Sequence, residues 1–245
     1  MSTTTRALSV CALALAAGAA SADISETIDF EGLVHGEIVD AQFEASHGVH
    51  ISAQNLNRGF DLAVAFDTER QGTRDRDLES PWSSGNLAPD TYLGMALIIQ
   101  ENNVGVGDGV ADLPDDEGRR PAGSILLEYK GVRDGFGFDV IDLESATAEM
   151  SSLDFYLDGA LVRSVDFAEF LSGGEFGDSS IVYGDNSANR IDVLSAGALG
   201  IAGFDAVRIN VGGSMAFDNI TATPTPGTMA MLGIGGACLA RRRRA

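Results

Sequence analysis

The sequence predicts an all-β protein, with a single β-sandwich or jelly-roll-like domain that carries long acidic loops. Three observations support this prediction. Short apolar or alternating runs recur along the chain, residues that favour turns (Gly, Asp, Asn and Ser) separate them, and no long segment has the sustained periodicity of a helix. Strands at this spacing, without regular helices between them, are typical of sandwiches and jelly rolls.

The first half of the chain contains five runs that we expect to form strands. They lie at residues 27–30, 49–53, 62–66, 95–100 and 125–129. Two polar stretches between them, residues 67–92 and 102–122, are too long for ordinary turns. Loops of that length are usually functional or mobile.

The second half contains two hairpin signals. In the first, an apolar run at residues 153–157 leads into Asp158-Gly159, and alternating residues return on the other side. Asp-Gly is a strong hairpin signal because it tolerates the positive φ angles of a tight turn. In the second, we expect the alternating residues 207–211 to turn at Gly212-Gly213 and to pair with a closing strand at residues 214–221.

The chain begins with the layout of a secretory signal. One positive side chain precedes an apolar, helix-forming run at residues 7–20, and Ala20 and Ala22 place small side chains where a signal peptidase reads. We therefore expect residues 1–22 to be removed by cleavage before Asp23. The alternative is a buried N-terminal helix, but the run has no cap and acidic, strand-like sequence follows at once.

The chain ends with three features in a fixed order. Pro224, Pro226 and Gly227 break the chain, a short apolar segment follows, and an arginine cluster closes the tail: Arg241, Arg242, Arg243 and Arg244. An unassisted membrane span needs about 20 residues, and the segment at residues 228–240 is shorter. We expect a short hydrophobic helix that associates with the membrane transiently, with the arginines on the cytoplasmic side. A plain C-terminal membrane anchor is the alternative.

This tail, residues 223–245, resembles the PEP-CTERM sorting signal, which has a Pro-Glu-Pro motif, a short hydrophobic segment rich in Gly, Leu and Ala, and a terminal arginine cluster. Thr225 stands where the family has Glu, whereas the prolines, the apolar segment and the arginines follow the expected order. The resemblance implies recognition by an exosortase-type membrane enzyme, cleavage near the Pro motif, and release to the cell surface or the extracellular matrix.

The body, residues 23–222, is similar at several points to the extracellular β-sandwich domains of PEP-CTERM proteins. Short sequence motifs occur there in the same order as in those domains. They include Asp75-x-Asp77-Leu78, Pro114-Asp115-Asp116, Ile141-Asp142-Leu143, Gly184-Asp185-Asn186-Ser187 and Phe217-Asp218-Asn219-Ile220. This similarity implies display at the surface and ligand or cation binding, rather than a known reaction.

Charge and cysteine content narrow the function classes. The chain has 36 Asp and Glu against 16 Lys and Arg, a formal net charge of -20, so nucleic acid and anionic membrane surfaces are not expected partners. Such acidity favours divalent cations or a saline exterior, and adaptation to salt alone needs no binding site. Cys11 and Cys238 lie in the segments that we expect to be removed, which leaves the body without a disulfide framework or a thiolate metal site.

Calcium is the cofactor that the acidic loops favour, because it takes about six to eight oxygen ligands from carboxylates, carbonyls and water. Asp75, Asp77 and Glu79 have the alternating carboxylates of a calcium loop, although the Gly and the bidentate Glu of an EF-hand are missing. Jelly-roll carbohydrate-binding modules often hold one calcium between a carboxylate near the first strand and an Asp in the last strand. Glu31 and Asp218 are candidates for such a pair, and solvated turn acids are the alternative.

A sugar-binding surface is a second candidate site. Trp82, the single tryptophan, lies in the first long loop, and aromatic faces pack well against pyranose rings. Tyr92 and Tyr129 could extend such a platform, and Asp115 and Asp116 in the second long loop are the accompanying polar candidates. Core packing is the alternative for the aromatic residues.

Catalysis finds little support in the sequence. The segment Gly212-Gly213-Ser214-Met215-Ala216 lacks the second Gly of a nucleophile elbow, and no pair of carboxylates is singled out for glycoside hydrolysis. We expect a non-catalytic exported protein of the cell surface or the biofilm matrix, sorted by its tail and stabilised by calcium. The alternatives are a surface carbohydrate-binding module that contacts extracellular polysaccharide, and a secreted glycan hydrolase.

Overall fold

The structure, a computed structural model, describes residues 26–225 and confirms the all-β prediction. Its strands are antiparallel and hydrogen-bonded into one continuous network. They are β1 (Glu26–Ile28), β2 (Ile38–Val39), β3 (Val49–Asn55), β4 (Ala63–Asp67), β5 (Met95–Ile99), β6 (Gly123–Ile141), β7 (Ser152–Leu157), β8 (Ala160–Asp166), β9 (Ala188–Ser195), β10 (Phe204–Val211) and β11 (Ala216–Pro224). The predicted signal segment with Ala20 and Ala22, and the tail from Pro226 through Gly227 to Arg241–Arg244, lie outside the described residues.

The long strand β6 joins two layers. Its first part pairs with β3 on one side and β10 on the other, and β7 and β8 continue that layer beyond β10. Its second part pairs with β9 and β11, and β5, β4 and β2 continue the second layer. β1 pairs with β11 as well. Only residues 125–129 of β6 were expected as a strand, because the glycines in its second part hide the pattern.

The two hairpin predictions have opposite outcomes. β7 and β8 pair as expected around Asp158 (φ 51°) and Gly159 (φ 76°), both in the left-handed region that a tight turn requires. The predicted pairing of β10 with β11 is wrong, because β6 lies between them. Gly212-Gly213 therefore carries the chain from one layer to the other instead of closing a hairpin.

The inward faces of the layers meet in the main hydrophobic core. It contains eight phenylalanine side chains that are fully or almost fully buried: Phe30, Phe136, Phe138, Phe155, Phe167, Phe170, Phe204 and Phe217. Several of their rings pack edge to face, such as Phe155 against Phe204 with 5.2 Å between ring centroids. Contacts of this kind add to the stabilisation from apolar burial.

A second, smaller core lies on the other face of β4 and β5. Val64, Phe66 and Ile98 project there and pack with Leu78 and Trp82 from the first long loop. The polar stretches that we expected to be functional or mobile thus have a structural task as well, because they cover this face. Burial on both faces explains why β4 and β5 are continuously apolar.

Helical structure is limited in the described part of the chain. A single turn, α1 (Ala146–Glu149), begins at Ser145, whose Oγ accepts a hydrogen bond from the Ala148 backbone N–H at 3.2 Å. Between residues 26 and 225, no helix has the length and apolar character needed to cross a membrane. β11 continues to Pro224, past the predicted domain boundary at residue 222, so the first proline of the sorting motif lies in a strand.

Candidate metal centre

Three aspartates from distant parts of the sequence converge beside the second layer. Asp77 belongs to a 3₁₀ turn, Arg76–Leu78, in the first long loop. Asp142 directly follows β6, and Asp185 lies in the turn before β9. Each offers a carboxylate oxygen, and these oxygens lie within 4.8 Å of one another.

Asp142 is the buried member of this cluster, with 1% of its surface exposed. Its Oδ1 accepts a hydrogen bond from the Asn186 backbone N–H at 2.7 Å, and its Oδ2 accepts one from Ser214 Oγ at 3.2 Å. Burial raises the pKa of Asp142 to about 8, and the charges of Asp77 and Asp185 act in the same direction. Burial, followed by the charge of Asp185, also raises the pKa of Asp77.

The side chain of Asn186 holds the first long loop against this cluster. Its Nδ2 donates hydrogen bonds to the carbonyl oxygens of Asp77 at 3.0 Å and Glu79 at 2.9 Å. Asn186 has a φ of 52°, a conformation that Asn tolerates better than most residues. One residue therefore bridges the loop of Asp77 and the end of β6.

A second acidic group adjoins the first and contains Asp115 and Asp116. The Asp116 backbone N–H donates to Oδ2 of Asp75 at 2.9 Å, and Oδ2 of Asp116 accepts from the Met215 backbone N–H at 2.6 Å. Burial and then Asp75 raise the pKa of Asp116 well above its ordinary value. Burial raises the pKa of Asp115 to about 6, although Arg74 lies 3.6 Å away and opposes the shift.

The three acids of the predicted calcium loop, Asp75, Asp77 and Glu79, contact different partners in the structure. Asp77 joins the three-aspartate cluster, whereas Asp75 lies against Asp116. Oε1 of Glu79 accepts hydrogen bonds from the backbone N–H and the hydroxyl of Thr73, at 2.6 and 2.7 Å. Glu79 therefore closes its own loop and is not a third ligand in the alternating series.

Glu31 and Asp218, the other predicted pair, do not belong to the three-aspartate cluster, although the charge of Glu31 acts on Asp218. Asp218 is 1% exposed, and its Oδ1 has no hydrogen-bond partner within residues 26–225. Burial raises the pKa of Asp218 to about 9, and the charges of Asp139 and Glu31 contribute. Glu31 is exposed, and its carboxylate accepts hydrogen bonds from the Met95 backbone N–H at 3.0 Å and from Tyr92 Oη at 3.2 Å.

The prediction of a sugar-stacking platform at Trp82 is wrong. The ring is 3% exposed and packs in the second core, and its Nε1 donates to the Thr91 carbonyl oxygen at 2.9 Å. Tyr129 is buried in the main core. Tyr92 is exposed but hydrogen-bonded to Glu31. No shared aromatic face results, because each ring serves a different part of the fold.

Asp142 and Asp185 were not among the predicted site residues. Their signals were present but weak: Asp142 interrupts a run of apolar residues at the end of a strand, and Asp185 lies in a Gly-Asp-Asn-Ser turn. Asp142 has Glu144 two residues later, but Asp185 has no acid within six residues, and neither is close to the other along the chain. Only the pairing of β6 with β9 brings the two segments together.

No protein-family model matches the sequence, and no curated protein matches it. Among solved structures, the chain is similar to the K2 cleaved adhesin domain of Lys-gingipain, with a TM-score of 0.40 and 11% sequence identity. That similarity covers 82% of this chain and 98% of the adhesin domain.

Proposed function

We propose that this chain is a non-catalytic, exported β-sandwich protein of the cell surface or extracellular matrix, and that calcium bound by its acidic loops stabilises it. The observation that carries the proposal is the convergence of Asp77, Asp142 and Asp185. Two oxygens that bind one Ca²⁺ at about 2.3–2.6 Å lie no more than about 5 Å apart. The separations in the cluster, within 4.8 Å, are compatible with that limit.

The electrostatics of the cluster favour a cation. Asp142 is buried beside two other acids, and its hydrogen-bond donors, the Asn186 N–H and the Ser214 hydroxyl, are uncharged. Within residues 26–225, none of the three aspartates forms an ion pair with Lys or Arg; the nearby Arg74 pairs with Asp115 instead. Burial, and after it the charges of Asp77 and Asp185, raise the pKa of Asp142, so without a cation its carboxyl group retains a proton more readily.

The acidic surroundings support calcium over a softer metal. The candidate ligands are carboxylate oxygens, with the Ser214 hydroxyl close by, and oxygen ligands suit calcium and magnesium better than zinc or copper. Extracellular calcium modules bind with dissociation constants of about 10⁻⁴–10⁻³ M. A cluster of three aspartates on an exported protein would therefore be filled outside the cell and empty during synthesis.

Calorimetric titration of the chelator-treated full chain with CaCl₂ tests this proposal. We expect binding in the micromolar to millimolar range and a rise in melting temperature. The double variant Asp77→Asn with Asp185→Asn should weaken the affinity at least tenfold. Asp90→Asn, which changes an exposed acid in the same long loop, is the matched control and should bind as the parent does. Absence of binding at 5 mM calcium, or unchanged binding by the double variant, would refute the calcium proposal.

Export and sorting are a separate part of the proposal. They rest on the secretory layout of residues 1–22 and on the resemblance of residues 223–245 to the PEP-CTERM signal. Signal peptidase and an exosortase-type enzyme are the proposed processing partners. Mass spectrometry of the protein from its native host should find Asp23 at the N terminus and no terminal arginines. Recovery of an intact chain, from Met1 to Ala245, in the cytosol would contradict the proposal.

A further inference from the structure

A groove with a volume of about 330 Å³ and a mixed polar and apolar lining crosses β1, β11, β6 and β9 on the second layer. None of its lining residues belongs to the three-aspartate cluster. The polar side chains that line it are Thr27, Asp139, Arg190, Asp192, Asn219 and Thr221. Its volume lies at the lower end of the range of small-ligand sites, about 300–1,000 Å³.

Arg190 is held in place at one wall of the groove. Its Nε and Nη2 donate to the two oxygens of the buried Asp139 carboxylate at 2.8 and 2.7 Å. A bidentate pair of this kind fixes the plane of the guanidinium group. Half of the Arg190 side chain remains exposed, and its Nη1 group is left to donate to a ligand. Little conformational entropy would be lost on binding, because the side chain is already ordered.

Other residues that line the groove offer further hydrogen-bonding groups. Asn219 uses Nδ2 to donate to Asp139 at 2.9 Å and to Asp218 at 2.8 Å, which leaves its Oδ1 as an acceptor. The hydroxyls of Thr27 and Thr221 lie 2.8 Å apart on neighbouring strands. Thr221 Oγ1 also donates to the Asn219 carbonyl oxygen at 3.2 Å, so both hydroxyl hydrogens are engaged and the two oxygens are available to a ligand as acceptors.

Irregular strand pairing shapes this part of the sheet. The pairing of β6 with β9 shifts register between Phe136 and Phe138, and the pairing of β11 with β6 shifts register between Asp218 and Thr221. The two irregularities flank Gly137, where a Cβ atom would lie only 2.9 Å from the Ile191 carbonyl oxygen. β-bulges redirect side chains and are frequent beside binding sites. Here they accompany the clustering of polar groups on one sheet face.

We propose that this groove binds a neutral polysaccharide through the hydroxyl groups of its sugars. The charge of Arg190 is already matched by Asp139, and Asp192 adds a negative charge to the rim. An acidic polysaccharide would be repelled by the rim and by a chain with a net charge of -20. A metal cation would compete with Arg190 for Asp139. A neutral, hydroxyl-rich ligand fits the mixture of donors and acceptors, and the exposed Val193 provides apolar contact.

This activity goes beyond the calcium-binding function and does not depend on it. Extracellular polysaccharide is still the expected partner. Because Trp82 is buried, the proposed contact is the groove beside Arg190. The two functions can therefore fail separately. Loss of calcium binding by the three aspartates would leave the groove residues unchanged, and loss of polysaccharide binding would leave the three aspartates unchanged.

Affinity electrophoresis of the full chain tests the groove. Native gels would contain a neutral polysaccharide (dextran, mannan or a β-1,3-glucan) or an acidic one (alginate or hyaluronate), each with calcium or with EDTA. We expect at least one neutral polysaccharide to retard the protein, with or without calcium, and the acidic ones to have no effect. The double variant Thr221→Val with Asp192→Asn, which leaves the buried Arg190–Asp139 pair intact, should weaken binding about tenfold.

Arg208→Ala is the matched control, because Arg208 also lies on a strand and contacts the Tyr156 ring at 5.5 Å outside the groove. It should bind polysaccharide as the parent does. Arg190→Ala should abolish retardation, and its melting temperature would report any loss of folding. Failure of all three neutral polysaccharides to retard the parent would overturn the proposal. Retardation by acidic polysaccharides, or an unaffected double variant, would also overturn it.

Discussion

The Asn186 backbone N–H donates a 2.7 Å hydrogen bond to Oδ1 of Asp142, and the Asn186 side chain binds the carbonyl oxygens of Asp77 and Glu79. A single residue next to Asp185 thus fixes the positions of the two other acids in the cluster. Because the hydrogen bonds reach across segments that are distant in sequence, they connect the stability of the loops with the geometry of the proposed calcium site.

Replacement of Asn186 should therefore weaken calcium binding without removing a carboxylate. Asn186→Gly keeps the positive φ but loses both side-chain hydrogen bonds, and we expect a loss of about 1–2 kcal/mol in the free energy of unfolding and a several-fold lower calcium affinity. Asn57→Gly is the matched control, because its Nδ2 also donates to two carbonyl oxygens, those of Pro121 and Ala122. The control should lose stability but retain calcium affinity, as measured by urea unfolding and calorimetry. Equal calcium affinities for Asn186→Gly and the parent would contradict the role of Asn186.

Trp82 should contribute to stability and not to sugar binding. Trp82→Ala opens a cavity in the second core and leaves the Thr91 carbonyl oxygen without its partner, so we expect a loss of about 3–5 kcal/mol. Trp82→Phe should lose less, because part of the apolar volume remains. Urea unfolding monitored by circular dichroism measures both effects. Parent-like stability of Trp82→Ala would mean that the ring is not a core residue.

Glu149 should make stability depend on pH. Its side chain is fully buried under Arg120, Oε1 lies 2.8 Å from the guanidinium group, and burial raises its pKa to about 7 from an ordinary value of 4.5. The folded protein then retains a proton that the unfolded chain releases, so stability falls as the pH rises from about 4.5 to about 7. Glu149→Gln, which is uncharged, should be more stable than the parent at pH 8 by about 1–3 kcal/mol and similar to it at pH 4.

The matched control for this prediction is Glu144→Gln, because Glu144 is the exposed second partner of Arg120. Melting curves of that variant should retain the fall in stability between pH 4.5 and pH 7. If Glu149→Gln and the parent have parallel stability curves from pH 4 to pH 8, the carboxyl group of Glu149 does not titrate as proposed.

Metal removal should reveal whether Asp218 holds a second calcium. Its folded pKa of about 9 lies above the ordinary 3.8, so in chelator its contribution to stability decreases as the pH rises between these values. Asp218→Asn should therefore melt at a higher temperature than the parent at pH 8 in EDTA. In 5 mM calcium the order should reverse, because only the parent can bind the ion there.

Asp166→Asn, an exposed change on β8, should follow the parent under both conditions. If calcium raises the melting temperatures of Asp218→Asn and the parent by the same amount, Glu31 and Asp218 do not form a calcium site. That result would not bear on calcium binding by the three-aspartate cluster, which the double variant of Asp77 and Asp185 tests.

Several features of the fold could be predicted because they depend on neighbouring residues. The β7–β8 hairpin follows from Asp158-Gly159, whose positive φ angles are a local property. The runs at β3, β4 and β5 were found from their apolar residues. The hairpin between β10 and β11 failed, because local alternation cannot indicate that a distant strand, β6, will lie between the two.

The candidate site shows the same division. Asp75 and Asp77 were predicted from a local acidic pattern, and Glu31 and Asp218 from their places near the first and last strands of a jelly roll. Asp142 and Asp185 were missed, because their segments meet through strand pairing and not through spacing. Trp82 was predicted as a sugar-binding residue but lies in the second core. The polar sequence of its loop does not indicate that one side chain is buried.

The sequence by itself determined the strand-rich character, the tight turn at Asp158-Gly159 and the excess of acidic side chains, since these depend on backbone preferences and composition. Tertiary structure alone decided which acids meet, which loop covers β4 and β5, and which polar groups line the groove beside Arg190. The physical reason is that antiparallel pairing joins residues distant along the chain. Burial then changes the pKa of a carboxyl group such as Asp142 according to neighbours that the order of residues does not specify.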